Sequence, residues 1–290
     1  MSAALGTLAF DAVARLSRTL PHFRGKWQVA DVLRRLLLPL RAPADGLCRV
    51  RMKDGSVMTW DVRDAAEGRA VFLGIWDDDL RNAVCARLAT GGVTLDVGAS
   101  VGAWTVPLAR HVGAEGMVYA FEPVPANLTR LERAVADNAL ARVVIVPFAL
   151  GDAERTVDMW LRSSVTTASS GTAAIVAAGA GQISVTMRPL DGWIETAALP
   201  RLDFIKLDVE GSELMVLAGA ERAIARFRPV ILGEFDEYWM SLHQQSRADA
   251  RAWAVSHGYR LLRWERRARR FVPTESPSGD ATLMVPSERG

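Results

Sequence analysis

The sequence predicts an α/β fold in which a mostly parallel, seven-stranded sheet is covered by helices on both faces. Half of the 290 residues are hydrophobic, which is enough to bury one large core. From residue 93 onward, short apolar segments alternate with segments of helical period, as expected for buried parallel strands joined by helices. The predicted strands lie in VTLDVG, MVYAFEP, RVVIVPFAL, FIKLDVEG, PVILGEF, YRLLRW and ATLMVP. A further strand-like segment, ISVTMRPL, follows a predicted loop at Ser163 to Gln182.

The first 90 residues predict an N-terminal part that packs on a main domain formed by residues 91–290. Residues 1–40 have mainly helical periodicity, and VADVLRRLLLPLR has its leucines on one side and its arginines on the other. This segment could be a helix at a membrane interface, but packing against the main domain is the favoured interpretation. Two alternating runs then flank Lys53-Asp54-Gly55, which predicts a β-hairpin.

Composition and charge limit the choice of partners and compartment. A net charge of +2 gives no support for nucleic-acid binding. Cys48 and Cys85 have the spacing of neither a disulfide framework nor a metal site, so a reducing cytoplasm is expected. No signal-peptide pattern opens the chain and no apolar run reaches the ~18 residues of a membrane helix, so we expect no stable membrane insertion. Nothing in the sequence predicts an oligomeric state.

A dense basic cluster, RWERRARR, occupies Arg263–Arg270 near the end of the chain. The favoured interpretation is a solvated hairpin end. The alternative is a patch that attracts an anionic substrate.

A glycine-rich segment, Gly98-Ala99-Ser100-Val101-Gly102, follows the first strand of the main domain and matches the G-x-S-x-G pattern of serine hydrolases. A hydrolase using Ser100 would need a histidine base and an acid. Asp96, on the strand before the loop, and Glu122, at the end of the next strand, favour a nucleoside cofactor instead. The available histidines are His22, His111, His243 and His257.

The same segment also limits the kind of cofactor. It lacks the third glycine of G-x-G-x-x-G, and an acidic residue before the loop would repel a pyrophosphate. A phosphate-free ligand with positive charge, such as S-adenosylmethionine, fits better.

The fourth strand, FIKLDVEG, places Lys206, Asp208 and Glu210 on one face and apolar residues on the other. Buried charges must be paired, solvated or bound to a ligand. At the carboxyl end of a central strand, these three residues are candidate catalytic groups. A self-satisfied Lys206–Asp208 ion pair is the structural alternative.

Two more carboxylates, Glu234 and Asp236, end the next strand. Together with Asp208 and Glu210 they could coordinate Mg²⁺, which prefers oxygen ligands. The same carboxylates could equally cap helices or bind hydroxyl groups.

Four segments, DVGASVG, AFEPVPANLTRL, FALGD and FIKLDVEGSELMVLAGA, resemble in order and spacing the FkbM family of S-adenosylmethionine-dependent methyltransferases. The resemblance covers roughly residues 48–236. It implies the class I methyltransferase (Rossmann-like) fold and O-methylation of sugars or secondary metabolites. It also implies a methionine end of the cofactor at Asp96, Gly98, Ser100 and Gly102, ribose at Glu122, and adenine near Asp152.

Two positions depart from the family pattern. Family members usually have asparagine where this chain has Ser100, and many have a glycine-tyrosine-glutamate run where this chain has Gly74-Ile75-Trp76-Asp77. The first change should preserve the loop. Because of the second change, the resemblance does not predict the substrate contacts at residues 74–77.

The expected function is therefore methyl transfer from S-adenosylmethionine to a hydroxyl of a small molecule, a sugar or glycosylated metabolite. Asp208 and Glu210 are the expected acceptor-side pair, with Lys206 orienting them or acting as base, and His243 is a further candidate base. Specificity is expected in the N-terminal segment, the loop Ser163 to Gln182 and the C-terminal helix. The alternatives are a serine hydrolase using Ser100 and a non-catalytic nucleoside-binding module.

Overall fold

The computed structural model describes residues 3–40 except 22 and 24, residues 46–161, and residues 173–289 except 178. The described chain forms two compact units, one of residues up to Asp77 and one of residues from Asp78 on. Packing of the first part on the second stays a prediction. None of the described helices is long and apolar enough to cross a membrane.

The first unit combines helices with the predicted hairpin. Its hairpin is confirmed, because Arg51 pairs with Val57 across the turn that contains Gly55. Asp64 accepts hydrogen bonds from the first turn of the helix that follows, which fixes where that helix begins. The elements are α1 (Ala3–Thr19), α2 (Lys26–Leu37), a 3-10 turn (Leu38–Leu40), β1 (Leu47–Arg51), β2 (Val57–Asp61) and α3 (Ala65–Leu73).

The second unit alternates strands and helices as the sequence predicts. Its first half contains α4 (Asp78–Cys85), β3 (Val93–Val97), α5 (Thr105–Val112), β4 (Met117–Phe121), α6 (Pro125–Asp137), β5 (Val143–Val146), β6 (Ala149–Leu150), β7 (Arg155–Leu161), β8 (Ala173–Val176) and β9 (Ile183–Arg188). Its second half contains α7 (Leu190–Ala197), β10 (Phe204–Leu207), α8 (Glu213–Ala218), α9 (Glu221–Phe227), β11 (Val230–Gly233), α10 (Glu237–Ser241), α11 (Arg247–Ser256), β12 (Tyr259–Glu265), β13 (Arg270–Pro273) and β14 (Thr282–Pro286).

Within the described chain, eight strands form a large sheet in the order β13-β12-β14-β11-β10-β3-β4-β5. The strands β5, β4, β3, β10 and β11 are adjacent in this order and run parallel to one another, and β14 lies antiparallel between β11 and β12. All seven predicted strands are in this sheet, so the predicted fold class is confirmed. The strand β13 is an additional edge strand that the sequence analysis did not identify.

The basic cluster forms the end of the β12–β13 hairpin. Glu265 pairs with Arg270, and residues 266–269 form the turn between them. The favoured interpretation of this cluster, a hairpin end, is confirmed.

A second sheet, with the order β6-β9-β7-β8 in the described chain, contains the strand-like segment ISVTMR. Much of the loop predicted at 163–182 lies outside the described residues, and residues 173–176 of it form β8.

The large sheet is buried on both faces. In β10, Ile205 and Leu207 pack in one core cluster and Phe204 packs in another on the opposite face. Lys206 therefore shares the face of Phe204 but lies nearer the carboxyl end of the strand. Within Phe204–Leu207 this alternation agrees with the prediction for FIKLDVEG and brings a charged side chain into the middle of the sheet. Asp208 and Glu210 lie beyond the end of the strand.

Candidate functional site

The candidate site lies at the carboxyl ends of three adjacent parallel strands, β4, β3 and β10. Asp96 of β3 is aligned with Lys206 of β10 on one side and with Ala120 of β4 on the other. Loops that leave neighbouring parallel strands at the same edge converge, and ligands of open α/β sheets bind at this edge.

The loop after β3 depends on its glycines. Gly98 has φ +75°, and a Cβ at this position would lie 1.9 Å from the carbonyl oxygen of Asp208. The main chain after β3 therefore touches the main chain after β10, which only glycine allows. On the other side, the N–H groups of Gly98 and Ala99 donate to the carbonyl of Phe121 at the end of β4.

Ser100 lies in the left-handed region, with φ +49°. Asparagine adopts this conformation several times more often than most other residues, which gives a physical reason for the asparagine that the resemblance implies here. The Ser100 main-chain N–H donates to Glu122 Oε2 over 2.8 Å. No histidine in the described part of the chain is hydrogen-bonded to Ser100, so the hydrolase alternative lacks its base, and His22 lies outside the described residues.

Glu122 joins the loops after β3 and β4. Its second carboxylate oxygen accepts the Val124 N–H over 2.9 Å and the Asn127 amide over 3.3 Å. Only 3% of Glu122 is exposed, and burial raises the pKa of its carboxyl above the ordinary value, although the N–H donors oppose this effect. The sequence analysis did not identify Asn127, which lies on the first turn of α6.

Lys206 lies at the centre of a buried ion network. Its Nζ is 3.4 Å from Asp96 Oδ1 and 3.1 Å from Asp208 Oδ2, and it donates to the Gly98 carbonyl over 3.0 Å. Burial alone would lower the pKa of Lys206, but the facing carboxylates hold it above its ordinary value. The lysine is therefore protonated, and the structure favours its orienting role over its predicted alternative role as a base.

The two carboxylates of this network have different surroundings. Asp96 is fully buried and accepts a 2.6 Å hydrogen bond from the Thr105 hydroxyl, whereas the side chain of Asp208 is 36% exposed. Asp96 thus positions the lysine from within the sheet, and Asp208 can reach a bound molecule. Thr105 has no motif that could have identified it from the sequence.

The loop after β10 has a strained conformation. Glu210 has φ +51° and Gly211 has φ +94°, and a Cβ at Gly211 would lie 2.4 Å from the main chain of Trp239. Left-handed non-glycine residues are held only when the surroundings impose them, and they cluster at functional sites. The role of Glu210 stays a prediction.

Glu213, which the sequence analysis missed, holds this loop. Its Oε1 accepts the N–H groups of Val209 over 3.2 Å and Gly211 over 3.3 Å. Its side chain is almost fully buried, and burial raises the pKa of the carboxyl to about 7. The signal in the sequence that could have identified Glu213 was its place as an acidic residue in the first turn of the helix after FIKLDVEG.

We expect Glu213 to make stability depend on pH. Because its pKa is higher in the folded chain than the ordinary value of about 4.5, its contribution to folding is present below that pH and is lost as the pH rises to about 7. Glu213→Gln should remove this decline, whose slope is at most about 1.4 kcal/mol per pH unit. Urea unfolding of both proteins between pH 4.5 and 8 measures it.

Glu195→Gln is the matched control, because that side chain is 62% exposed. It should leave the pH dependence of the unfolding free energy unchanged. Parallel pH profiles for the wild-type chain and Glu213→Gln would contradict the expectation.

A buried serine and a histidine meet beside the same loop. Ser212 Oγ is 3.3 Å from His243 Nε2, and Ser212 is 1% exposed. Burial lowers the pKa of His243, so its imidazole is neutral near pH 7. His243 therefore stays a candidate base on geometry, as the sequence suggested.

The arrangement of these loops agrees with the comparison with protein families. A model of the methyltransferase FkbM domain matches residues 96–261, more than half of the chain. The chain belongs to the FkbM methyltransferase family. The resemblance seen in the four sequence segments is thereby confirmed.

The solved structures that match this FkbM domain resemble it only distantly. An FkbM methyltransferase from Methylobacillus flagellatus KT is 22% identical, with a TM-score of 0.46, over 68% of this chain and 44% of that one. The chain thus spans less than half the length of that protein. A SAM-dependent methyltransferase from Aquifex aeolicus is 12% identical, with a TM-score of 0.40, over 71% of this chain and 89% of that one. No curated protein matched the chain.

The possible Mg²⁺ site finds no support in the described part of this FkbM domain. Asp236 caps α10 instead, accepting the N–H groups of Tyr238 over 3.0 Å and Trp239 over 3.2 Å. Among the described residues, which include Asp208, Glu210, Glu234 and Asp236, no group of three or more His, Cys, Asp or Glu could hold a metal ion. The capping alternative was correct for Asp236 because a free carboxylate at a helix start satisfies orphan N–H groups.

Asp152 lies in a different setting from the other predicted cofactor residues of the FkbM domain. It follows β6 of the second sheet, and its side chain forms a 2.9 Å ion pair with Arg155, with both side chains about two-fifths exposed. The hydrogen bonds that join the loops after β3 and β4 do not include it. Its role near adenine stays a prediction.

Proposed function

We propose that this FkbM methyltransferase transfers a methyl group from S-adenosylmethionine to a hydroxyl of a small molecule of the sugar or glycosylated-metabolite class. The observation that carries the proposal is the Asp96–Lys206–Asp208 network, which lies directly beside the glycine loop. It brings the solvent-accessible carboxylate of Asp208 to the edge of the sheet where cofactors of this fold class bind.

The chemistry of this edge supports a cationic, phosphate-free cofactor. Among the described residues of this network, the carboxylates of Asp96, Glu122 and Asp208 lie around the ammonium group of Lys206. Such a set repels a pyrophosphate and attracts the ammonium and sulfonium groups of S-adenosylmethionine. Gly98, Ser100 and Gly102 would hold its methionine end and Glu122 its ribose hydroxyls, and the bound cofactor would supply an electrophilic methyl group.

Methyl transfer to a hydroxyl requires that the acceptor be aligned and its proton removed. Asp208 and Glu210 are both partly exposed at this edge. Because Asp208 is held by the protonated Lys206 over 3.1 Å, its carboxylate has a fixed position and suits alignment of the acceptor. We therefore assign proton removal to Glu210 and orientation of Asp208 to Lys206.

Calorimetric titration with S-adenosylmethionine and S-adenosylhomocysteine tests the cofactor, with NADH as the unrelated nucleotide. We expect micromolar binding of both adenosyl ligands and at least about tenfold weaker binding by Glu122→Ala. Glu132→Ala, which removes an exposed carboxylate from α6, is the matched control and should bind normally. Absence of binding by the wild-type chain would overturn the proposal.

Turnover by Glu210→Ala tests the catalytic assignment. We expect kcat to fall by about 10²–10⁴-fold, since a positioned base contributes rate enhancement of that size. Affinity for S-adenosylhomocysteine should stay within about twofold, because Glu210 acts on the acceptor side. Glu237→Ala, which removes an exposed carboxylate from α10, should keep full activity.

An active Glu210→Ala enzyme would overturn this assignment and direct attention to His243. The two alternative functions give different results. A hydrolase would be labelled at Ser100 by a fluorophosphonate. A nucleoside-binding module would bind the adenosyl ligands without methylating any acceptor.

A further inference from the structure

The first two helices expose an unusual number of large apolar side chains. Of the fourteen large hydrophobic residues exposed in the described chain, nine lie between residues 5 and 36. On α1, Leu8 and Leu16 are 66% and 64% exposed, and on α2, Leu36 is 68% exposed. We call this set the N-terminal apolar face: Leu5, Leu8, Leu16, Leu20, Phe23, Trp27, Val29, Val32 and Leu36.

The orientation of α2 is the reverse of that expected for a helix facing water. Its exposed side has apolar residues at helical spacing, Val29, Val32 and Leu36, while its buried side contains Lys26 and Arg34. The buried charges have partners. Lys26 donates to the Leu20 carbonyl over 2.6 Å, and Arg34 pairs with Asp31 over 3.3 Å.

Contacts within the first unit hold the helix in this orientation. Arg34 also donates to the carbonyl of Arg63, and Asp31 lies 3.9 Å from the guanidinium of Arg69. Because buried charges must keep their partners, rotation of α2 to hide its apolar side would cost these interactions. The apolar residues are therefore held outward by the pairing of the charged ones.

The charge of this segment indicates what covers the face. Residues 1–40 contain six Lys and Arg against two Asp and no Glu, a net charge of +4, while residues 41–290 contain 29 Lys and Arg against 31 Asp and Glu. Arg15 and Arg35 are exposed beside the apolar residues, and Arg35 forms a 2.8 Å ion pair with Asp31. A second copy of the same cationic segment would be repelled, whereas a surface of anionic lipid headgroups would be attracted.

The dimensions and aromatic residues agree with helices that lie in the plane of a membrane surface rather than cross it. The 17 and 12 residues of α1 and α2 are shorter than the roughly 20 that a spanning helix needs. Phe23 and Trp27, near the junction of the two helices, are 41% and 58% exposed. Aromatic rings in such positions settle at the headgroup level.

We infer that the N-terminal apolar face binds reversibly to the surface of anionic membranes. The apolar side chains would enter the boundary between headgroups and acyl chains, and the basic residues would contact the headgroups. This binding is independent of the methyl-transfer reaction proposed above.

Cosedimentation of the full chain with vesicles tests the inference. Vesicles of phosphatidylcholine alone are compared with vesicles that also contain phosphatidylglycerol. We expect binding to the anionic vesicles, at least about tenfold weaker binding to the neutral ones, and weakening by added salt. Leu8→Glu and Leu36→Glu should each reduce binding to anionic vesicles by at least about tenfold.

Val255→Glu is the matched control, because Val255 is 67% exposed on α11 and far outside the N-terminal segment in sequence. It should bind like the wild-type chain. Equal binding by all four proteins, or none by the wild-type chain, would overturn the inference. A dimer in gel filtration that Leu8→Glu dissociates, without vesicle binding, would overturn it in favour of a second copy.

A second measurement adds no charge to the N-terminal apolar face. Brominated lipids quench tryptophan fluorescence only when the ring enters the bilayer. We expect quenching of the wild-type chain that is reduced in Trp27→Phe, which keeps an aromatic ring. Identical quenching of both proteins would contradict insertion at this face. A marked loss of thermal stability in Leu8→Glu and Leu36→Glu would show instead that the face is buried in solution.

Discussion

Gly98→Ala is expected to destabilise the chain by more than about 3 kcal/mol and to abolish binding of S-adenosylhomocysteine. Gly98 has φ +75°, where an L side chain costs about 1–2 kcal/mol. The added Cβ would also lie 1.9 Å from the Asp208 carbonyl oxygen, which belongs to the main chain and cannot rotate away. The loops after β3 and β10 would have to separate, and Lys206 would lose its bond to the Gly98 carbonyl.

Gly113→Ala separates the clash from the conformational strain. Gly113 has φ +73° and ψ −163°, a conformation that is essentially restricted to glycine, but no atom lies within 4 Å of a Cβ at that position. We expect this variant to lose about 1–3 kcal/mol from backbone strain alone and to keep its ligand affinity. Urea unfolding and calorimetric titration of both variants make the comparison. Equal destabilisation of the two variants would mean that the clash with the Asp208 carbonyl adds nothing to the loss of stability in Gly98→Ala.

Lys206→Met is expected to destabilise the chain by about 3–5 kcal/mol, since it leaves the carboxylate of Asp96 buried without a countercharge. Methionine fills a similar volume, so packing changes little. Chemical denaturation at pH 7 measures the loss. Because the lysine also orients Asp208, methyl transfer should be lost as well.

A second substitution shows whether charge is the cause. In Lys206→Met/Asp96→Asn the buried site is neutral, so we expect much of the lost stability to return. Asp208→Asn breaks the partly exposed pair and should cost about 1 kcal/mol or less. If the double variant is no more stable than Lys206→Met, the buried charge is not what makes Lys206 necessary.

The sequence predicted the strands of the large sheet because burial on both faces leaves a continuous apolar run of strand length. It missed β13, a four-residue edge strand that ends in Pro273, because a short edge strand has no such run. It also gave only one strand-like segment for the second sheet. Pairing between distant segments, such as β6 with β9, is set by tertiary contacts.

In the candidate site, the residues with predictable positions were those at strand ends. Asp96, Glu122 and Lys206 could be located because the carboxyl ends of parallel strands meet at one edge. Thr105, Asn127 and Glu213 were missed because their roles depend on hydrogen bonds to main-chain or buried groups that no spacing reveals. The possible Mg²⁺ site lacks support for a related reason, since Asp236 accepts hydrogen bonds from the N–H groups of α10.

The sequence by itself determined the α/β fold class, the family and the charged character of the fourth strand, because apolar periodicity and motif order are properties of the chain. The tertiary structure alone decided the state of those charges. Whether Lys206 is a base or a fixed cation depends on the two carboxylates that face it, one from β3 and one from the loop after its own strand. Likewise, only the folded first unit shows that α2 buries Lys26 and Arg34 and presents its apolar side outward. Electrostatic and packing energies depend on distances between residues far apart in sequence, and folding sets those distances.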